Sequence, residues 1–449
     1  MKDSENSLGT APVAGLLKKF AIPSIIAMLV SALYNIVDQF FIGRSVGPLG
    51  NAATNVAFPL STSCVAIALL MGIGGAAAFN LEMGAGHGKK AIHYIGNAIT
   101  MLITCGGILC IIVQLFLTPM LEFFGSPDSV LGYAKTYTSI TSFGFPFLIL
   151  ATGGGHLIRA DGSPKFTMMC NLSGAVINTI LDPILIFGCG MGMAGAAIAT
   201  VAGQIFSGAL AIYYFMHFKT VKLTKEHLVV KWEYLGRLVA LGASPFFNQI
   251  AMMIVQIVMN KSLTYYGALS SYGGDIPLAC AGIITKVSMV FFSIVIGISQ
   301  GLQPIVSFNY GAGRRDRVKE ALLLALKAGF IISVVAFLMF ILIPRQIIGL
   351  FGSGSAEYYR FAVLYFRIFL FFTFINFIQP ISSNFFTAIG KPYKGIFLSL
   401  TRQILFLLPL ILILPLIMGI DGIMYAGPCA DLVAGIVAGI MTYKEIKNM

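Results

Sequence analysis

The sequence predicts an all-α polytopic membrane protein, with twelve transmembrane helices in two six-helix lobes related by a parallel pseudo-two-fold repeat. Three observations predict this fold class. The mean hydropathy is +0.89 and only 10% of the 449 residues are charged, whereas soluble domains have about 25%. Twelve apolar stretches are long enough to cross about 30 Å of hydrocarbon as helices. Several sequence features also recur in the second half at a nearly constant spacing.

The twelve apolar stretches are expected to be helices, because none alternates apolar and polar residues with period two and all exceed the length of a barrel strand. The longest hydrophilic connection runs from Lys219 to Arg237 and divides the chain near its middle. The predicted spans are residues 16–42, 52–81, 92–118, 130–157, 165–188, 194–217, 236–265, 277–308, 319–344, 357–388, 394–417 and 422–443.

The basic residues fall mainly on one set of connections, and this distribution predicts the topology. If the N-terminus is cytoplasmic, the inner segments contain 20 of the 29 Lys and Arg residues, Lys2 among them. The positive-inside rule therefore predicts that both termini are cytoplasmic. The net charge of +12 is then explained by topology, and we expect no nucleic-acid partner.

The two halves share features in the same order. Gly-Ala-Gly precedes a basic pair at Gly84 to Gly86 and again at Gly311 to Gly313. We call the separation of Gly84 from Gly311 the repeat offset. At nearly the same offset, residues 162–165 match 390–394, residues 191–195 match 418–422, and Tyr137 matches Tyr365.

This repeat divides the chain into an N-lobe (residues 1–218), a cytoplasmic linker (219–235) and a C-lobe (236–449). Because six helices precede the repeat, both lobes cross the membrane in the same orientation. Parallel repeats of this kind place a substrate cavity between two bundles that rock against each other.

Asp182 is the only formally charged residue of the apolar run from Phe166 to Phe218. A carboxylate at membrane depth costs about 2.5 to 3.5 kcal/mol on insertion scales, so it is rarely kept without a use. Pro183 follows it and cannot donate to the carbonyl four residues back, so a kink is expected beside the acid. Asn178 lies one helical turn earlier, on the same face. This stretch is predicted to take up a proton or a small cation.

Asp38 is the second acid deep in the first half. Ser31, Tyr34 and Asp38 recur at spacings of three and four, so they line one helical face. The second half has no equivalent acids, and coupling is therefore expected to be confined to the N-lobe. Two carboxylates brought close in a poorly solvated site cannot both stay ionised, and their oxygens could hold H⁺ or Na⁺. A purely structural role, with each acid hydrogen-bonded to neighbouring helices, is the alternative.

The chain carries no sign of an enzyme. No Walker A motif, zinc-binding histidine motif, nucleophile elbow or Rossmann glycine pattern occurs in a suitable context. We therefore expect no catalytic residues, no nucleotide and no cofactor apart from H⁺ or Na⁺ as coupling ion. Without a nucleotide site, transport would have to be driven by an ion gradient.

Three segments resemble the MATE (multidrug and toxic compound extrusion) family, and more narrowly its bacterial MepA-like branch. They are the first-helix run from Tyr34 to Gly43, the fifth-helix run from Ile180 to Gly188 and the sixth-helix run from Met193 to Thr200. The resemblance extends over nearly the whole chain. It implies a bacterial inner-membrane exporter that exchanges H⁺ or Na⁺ for organic cations and drugs.

The resemblance also implies the composition of the cation site. In relatives, an N-lobe site is built from an Asp, a Tyr, an Asn and Asp pair, and a Thr. These positions correspond to Asp38, Tyr137, Asn178, Asp182 and Thr200, with Tyr34 facing the same pocket. If the ion is Na⁺, its expected ligands are Asp38, Asn178, Asp182 and Thr200.

The chain departs from NorM-like members, which have a Glu in the seventh helix and an Asp in the tenth. Uncharged residues stand there instead, so a C-lobe ion site is not expected. The candidate residues of the substrate cavity are Gln249, Gln256, Lys286 and Asn376.

The function expected from sequence is secondary active export of cationic amphipathic compounds by a monomer in the lipid bilayer. The first alternative is a flippase for lipid-linked saccharides, in which Lys286 and Arg402 would line the cavity and hold a pyrophosphate. The second alternative is a channel or a non-transporting membrane receptor, which leaves the repeat and the one-sided acid pair unexplained.

Overall fold

The computed structural model describes residues 7–273, 275–350 and 355–449. Residues 1–6 of the predicted N-lobe, including Lys2 of the topology argument, lie outside the described residues. Within the described ranges the regular structure is entirely helical, and twelve helices are long and apolar enough to cross a membrane. The predicted fold class is therefore confirmed.

Each predicted span overlaps an observed helix, and most observed helices extend a few residues beyond the prediction. An even number of spans places both ends of the described chain on one face, which we call the inner face. The membrane-spanning helices are α1 (Val13–Ser45), α2 (Pro48–Gly84), α3 (Gly88–Leu115), α4 (Asp128–Ala160), α5 (Pro164–Gly188), α6 (Gly192–Phe215), α7 (Trp232–Ala268), α8 (Asp275–Gly311), α9 (Arg315–Leu342), α10 (Ala356–Ile375), α11 (Pro392–Met418) and α12 (Ile420–Lys447).

Several short helices complete the chain. Leu117–Phe123 precedes α4, Pro344–Gly349 precedes α10, and Ile378–Ala388 follows α10. The tenth predicted span is thus interrupted by the 3₁₀ turn Thr373–Ile375. The predicted kink after Asp182 is a π-helical turn, Ile184–Gly188, which starts directly after Pro183.

The first half (α1 to α6) and the second half (α7 to α12) pack together through α1 with α8 and α2 with both α7 and α8. Small residues allow these backbones to approach closely. A Cβ added at Gly74 would lie 2.0 Å from the Leu238 carbonyl oxygen, and one added at Gly301 would lie 2.6 Å from Ala21. Gly74 and Gly301 are separated by the repeat offset, so the glycines at these two close approaches occupy equivalent positions of the sequence repeat.

The close approaches continue to the inner face. There Glu82 of α2 is ion-paired with Arg237 of α7. More than two turns deeper in the membrane, the amide of Gln303 in α8 donates to the Ile73 carbonyl of α2 at 3.2 Å. The inner face is therefore closed by direct contact between the halves.

The segment that precedes the first helix of each half forms hydrogen bonds with the other half. Ahead of α1, the Leu8 carbonyl accepts hydrogen bonds from Asn309 Nδ2 at 2.9 Å and Arg317 Nη2 at 3.1 Å, both in the second half. Arg317 also donates to the Ala11 carbonyl at 2.6 Å. Ahead of α7, the Lys231 N–H donates to Asn97 Oδ1 of α3 at 2.8 Å. The two leading segments thus cross between the halves at the inner face.

Candidate functional site

Asp38 and Asp182 lie together where α1 packs against α5. Asp182 is fully buried and Asp38 is 8% exposed. The two carboxyl groups are close enough to interact directly. Both lie about two helical turns from the outer ends of their helices, so they occupy one level of the membrane. The structure therefore brings together the two acids that the sequence singles out.

Asn178 links the acid pair to α6. An amide can be turned over, exchanging its oxygen and nitrogen, without changing its shape, and one orientation satisfies both of its neighbours. In that orientation Nδ2 donates to Asp182 Oδ2 at 3.3 Å, and Oδ1 accepts from the Thr200 backbone N–H at 3.1 Å. The Thr200 hydroxyl donates to the Ala196 carbonyl at 3.0 Å. Asn178 and Thr200 thus lie beside the acids.

Two tyrosines complete the pocket. Tyr34, one turn before Asp38 on α1, interacts electrostatically with both carboxyl groups. Tyr137 of α4 interacts electrostatically with the same two carboxyl groups and lies close to Thr200. The structure therefore brings all six predicted coupling residues into one pocket of the first half.

One oxygen of each acid lacks a hydrogen-bond partner within the described residues. These atoms are Asp38 Oδ1 and Asp182 Oδ1, and both are buried. A buried carboxylate oxygen without a donor is costly unless it receives a proton or a cation. The pocket can therefore bind H⁺, or Na⁺ with carboxylate and amide oxygens as ligands.

The described residues contain no group of three or more His, Cys, Asp or Glu side chains that could hold a transition metal. The oxygen donors of the acid pocket instead suit hard cations. An apolar cluster that includes Ile42, Ile186 and Ala196 lies on the outer side of the pocket. Apolar side chains thus separate the acids from the outer ends of α1 and α5.

The candidate substrate-cavity residues are spread over the second half. Gln249 is half-buried, and Gln256 donates to Asn260 Oδ1 at 3.0 Å on the same helix. Lys286 is half-buried on α8, and within the described ranges its ammonium group has no ion-pair or hydrogen-bond partner. Asn376 is buried, and its amide donates to Asp431 Oδ2 at 2.8 Å. Among the described residues, no hydrogen bond or ion pair joins any two of these four side chains.

Sequence reasoning missed the partner of Asn376. Asp431 of α12 also accepts a hydrogen bond from Arg402 Nε of α11 at 2.5 Å. Arg402 and Asp431 lie on successive helices, so helical spacing gives no signal for their pairing. Arg402 is therefore charge-compensated and is not free to hold a pyrophosphate.

A groove of about 610 Å³ lies between the outer ends of α1 and α2. Its polar lining side chains are Gln39, Arg44, Asn51 and Asn55, and Arg44 is the only charged one in the lining. None of the six acid-pocket residues is part of this groove lining.

The sequence profile of the MatE family matches residues 23–184 and again residues 246–413. The two matches cover most of the chain and fall one in each half. The chain belongs to the MatE family. The recognition from the residues of α1, α5 and α6 is thus confirmed, and the protein is a MATE transporter and not an enzyme.

Curated relatives cover nearly the full length of this MATE transporter. An "FAD transporter" of Shewanella oneidensis is 24% identical, over 97% of this chain and 95% of its own length. A "Multidrug export protein MepA" of Staphylococcus haemolyticus is 25% identical, over 94% of this chain and 92% of its own. Relatives of this kind have small-molecule substrates and lie in a membrane.

Solved structures of MATE transporters have the same fold. An outward-facing MATE transporter of the MOP superfamily superposes with a TM-score of 0.92 at 21% identity, covering 100% of this chain and 99% of the other. The multidrug transporter DinF-BH, solved in complex with rhodamine 6G, superposes with a TM-score of 0.91 at 32% identity, covering 99% and 98%.

Proposed function

We propose that this MATE transporter is a secondary active exporter that couples efflux of cationic amphipathic compounds to influx of H⁺ or Na⁺ at Asp38 and Asp182. One observation carries the proposal. Two buried carboxyl groups interact with each other, and each keeps one oxygen without a partner among the described residues. Such a pair binds a cation more strongly than a single exposed acid does.

The coupling step follows from where the acids lie. With no cation bound, two negative charges face each other between α1 and α5, and their repulsion opposes close packing. Uptake of H⁺ or Na⁺ from the outer side removes the repulsion and allows α1 to pack differently against α5 and α6. A ligand shifts a conformational equilibrium only if it binds one state better, and the acid pair supplies that difference.

Tyr34, Tyr137, Asn178 and Thr200 position the acids and provide further oxygen atoms. Na⁺ would be held by Asp38, Asn178, Asp182 and Thr200, whereas H⁺ requires only a carboxylate oxygen. Both ions remain candidates.

A second candidate substrate class is anionic. The S. oneidensis relative is described as an FAD transporter, and FAD carries a pyrophosphate. In this chain, Arg44 is the charged residue of the outer groove, and Lys286 has no acidic partner among the described residues. These two cations favour an anionic organic substrate.

The flippase alternative receives less support, because the Arg402 charge is compensated by Asp431. A channel or receptor is also disfavoured, because the closed inner face and the buried acid pair suit alternating access. We propose the inner membrane of a bacterium as the location, with both termini cytoplasmic and the monomer as the working unit.

Efflux from proteoliposomes tests the proposal. Rhodamine 6G and FAD serve as the cationic and anionic probes, with pH and Na⁺ gradients imposed separately. Uphill, saturable efflux of rhodamine 6G under one gradient supports the proposal, and FAD efflux supports the second substrate class. Flux that never exceeds downhill equilibration would overturn secondary active transport.

A further inference from the structure

The second half contains its own buried carboxylate, and this one is fully compensated. Asp431 is 2% exposed, and both of its oxygens have partners. Oδ1 accepts from Arg402 Nε at 2.5 Å, and Oδ2 accepts from Asn376 Nδ2 at 2.8 Å. The guanidinium group also lies over the Phe292 ring, 5.9 Å from its centroid. Arg402 is only 16% exposed, so the ion pair is shielded from water.

This ion pair and the acid pair each involve the fifth helix of their half, but not at equivalent positions, because at the repeat offset Asp182 falls on Pro409, about two turns beyond Arg402. The fifth helix of each half, α5 or α11, contains a π-helical turn beside a proline. In α5 the turn Ile184–Gly188 follows Pro183, and in α11 the turn Thr401–Leu407 precedes Pro409. The separation of the two prolines nearly equals the repeat offset. Such turns are frequent at functional sites.

The charges at these two places differ in one respect. In the first half Asp182 meets a second acid, and a compensating cation has to come from outside the chain. In the second half Asp431 meets Arg402, and the compensating cation belongs to the chain. Both halves therefore bury a carboxylate beside a fifth-helix π turn, but of the two sites only the first-half pocket leaves carboxylate oxygens free for an exchangeable ion.

We propose that Arg402 is a tethered counter-ion that takes, at Asp431, the place that an exchangeable cation would otherwise occupy. The Asp431 site then stays neutral throughout the transport cycle and takes no part in ion coupling. The assignment of coupling to the first half rests on the proposed function, whereas the role of Arg402 can be tested without any transport measurement.

Removal of the guanidinium group gives the direct test. Arg402→Ala leaves Asp431 buried without a cation beside a cavity of guanidinium size, which is strongly destabilising. Methylguanidinium added to the purified variant should enter the cavity and raise its Tm in a dose-dependent way, by on the order of 2 °C. The wild type should show no such rise.

Two control variants test whether the uncompensated charge of Asp431 causes the loss of stability and the rescue by methylguanidinium. In Arg402→Ala/Asp431→Asn the buried charge is absent, so the Tm should recover and methylguanidinium should have no effect. Arg367→Ala removes another arginine of the second half, which donates to the Ile341 carbonyl at an exposed position, and it should also be insensitive. An Arg402→Ala Tm equal to that of the wild type, or rescue that persists in the double variant, would overturn the proposal.

If Arg402→Ala does not fold, the proposal is tested by comparing the yield of folded protein from Arg402→Ala with that from Arg402→Ala/Asp431→Asn. Recovery in Arg402→Ala/Asp431→Asn supports the tethered counter-ion, and equal failure of both variants contradicts it. The same measurements in an Asp38→Asn/Asp182→Asn background separate the two proposals. Rescue there depends on Asp431 alone, so it survives even if coupling at the first-half acids is disproved.

Discussion

Gly84 of α2 touches the backbone of Phe308 in α8, because a Cβ added at Gly84 would lie 2.0 Å from the Phe308 carbonyl oxygen. The reciprocal contact exists one repeat offset later, where a Cβ at Gly311 would lie 2.1 Å from the Leu81 carbonyl oxygen. The two halves therefore meet backbone to backbone at the inner face, with the symmetry of the sequence repeat.

Gly84→Val should force the inner face open, since its side chain cannot fit against Phe308. In an otherwise cysteine-free chain, Asn80→Cys places a thiol at a buried position, and it should then react faster with a membrane-impermeant maleimide applied from the inner side. Gly107→Val is the matched control, because a Cβ at Gly107 has no neighbour within 4 Å. Unchanged labelling in Gly84→Val would show that this contact does not close the inner face.

Asp182→Asn should abolish gradient-driven efflux and leave membrane insertion and folding intact, because the amide keeps the shape of the side chain but cannot exchange a proton. The measurement is efflux of rhodamine 6G from proteoliposomes, with the Tm as the test of folding. Asp421→Asn, an exposed acid in the first turn of α12, serves as the control and should behave like the wild type. Undiminished uphill efflux in Asp182→Asn would remove this acid from the mechanism.

Asn178→Leu should weaken ion binding without removing either acid. The substitution deletes the donor to Asp182 and the acceptor for the Thr200 N–H, and each lost hydrogen bond in a buried site costs about 1 to 3 kcal/mol. Since about 1.4 kcal/mol is tenfold in affinity, the ion concentration for half-maximal efflux should rise about tenfold or more. Asn248→Leu, a half-buried position on α7, should leave it unchanged. An unaltered ion dependence in Asn178→Leu would argue against a positioning role.

Lys286→Met should separate the two substrate classes. If FAD is a substrate, loss of this unpaired cation should reduce FAD efflux strongly and leave rhodamine 6G efflux similar or higher, since a positive charge favours anions and repels cations. Lys261→Met, at an exposed position of α7, is the matched control. Equal reduction of both fluxes would indicate a structural role for Lys286.

Arg317→Ala should loosen the segment ahead of α1, because it removes the donors to the Leu8 and Ala11 carbonyls. Hydrogen exchange of the residue 8–11 amides should accelerate, while exchange in α9 stays slow. Lys319→Ala changes a nearby charge that makes no hydrogen bond to these carbonyls and should leave the exchange unaltered. Protection that persists in Arg317→Ala would show that Asn309 suffices to hold the segment.

Much of this molecule could be predicted because membrane helices depend on properties that are local in the sequence. Apolar length locates the helices, and the spacing of Tyr34 and Asp38 places them on one face. The position of Tyr137 and Thr200 around the acids is predicted only by the family resemblance, since these two residues lie on separate helices. The pairing of Arg402 with Asp431 depends on how α11 turns through its π-helical segment, and no spacing in the sequence encodes that rotation. The substrate cavity is the least predictable part, because which side chains face the space between the halves depends on the rotation of each helix, and the spacing of residues along one helix does not fix that rotation.

The crossing of the two leading segments has a consequence for biogenesis. Ribosomes complete α1 long before they reach Asn309 and Arg317, so Leu8 and Ala11 are made well ahead of the side chains that hold them. The stretch preceding α7, by contrast, finds Asn97 already synthesised. The segment ahead of α1 can therefore be fixed only after the second half has been made, so its docking is a late step of assembly.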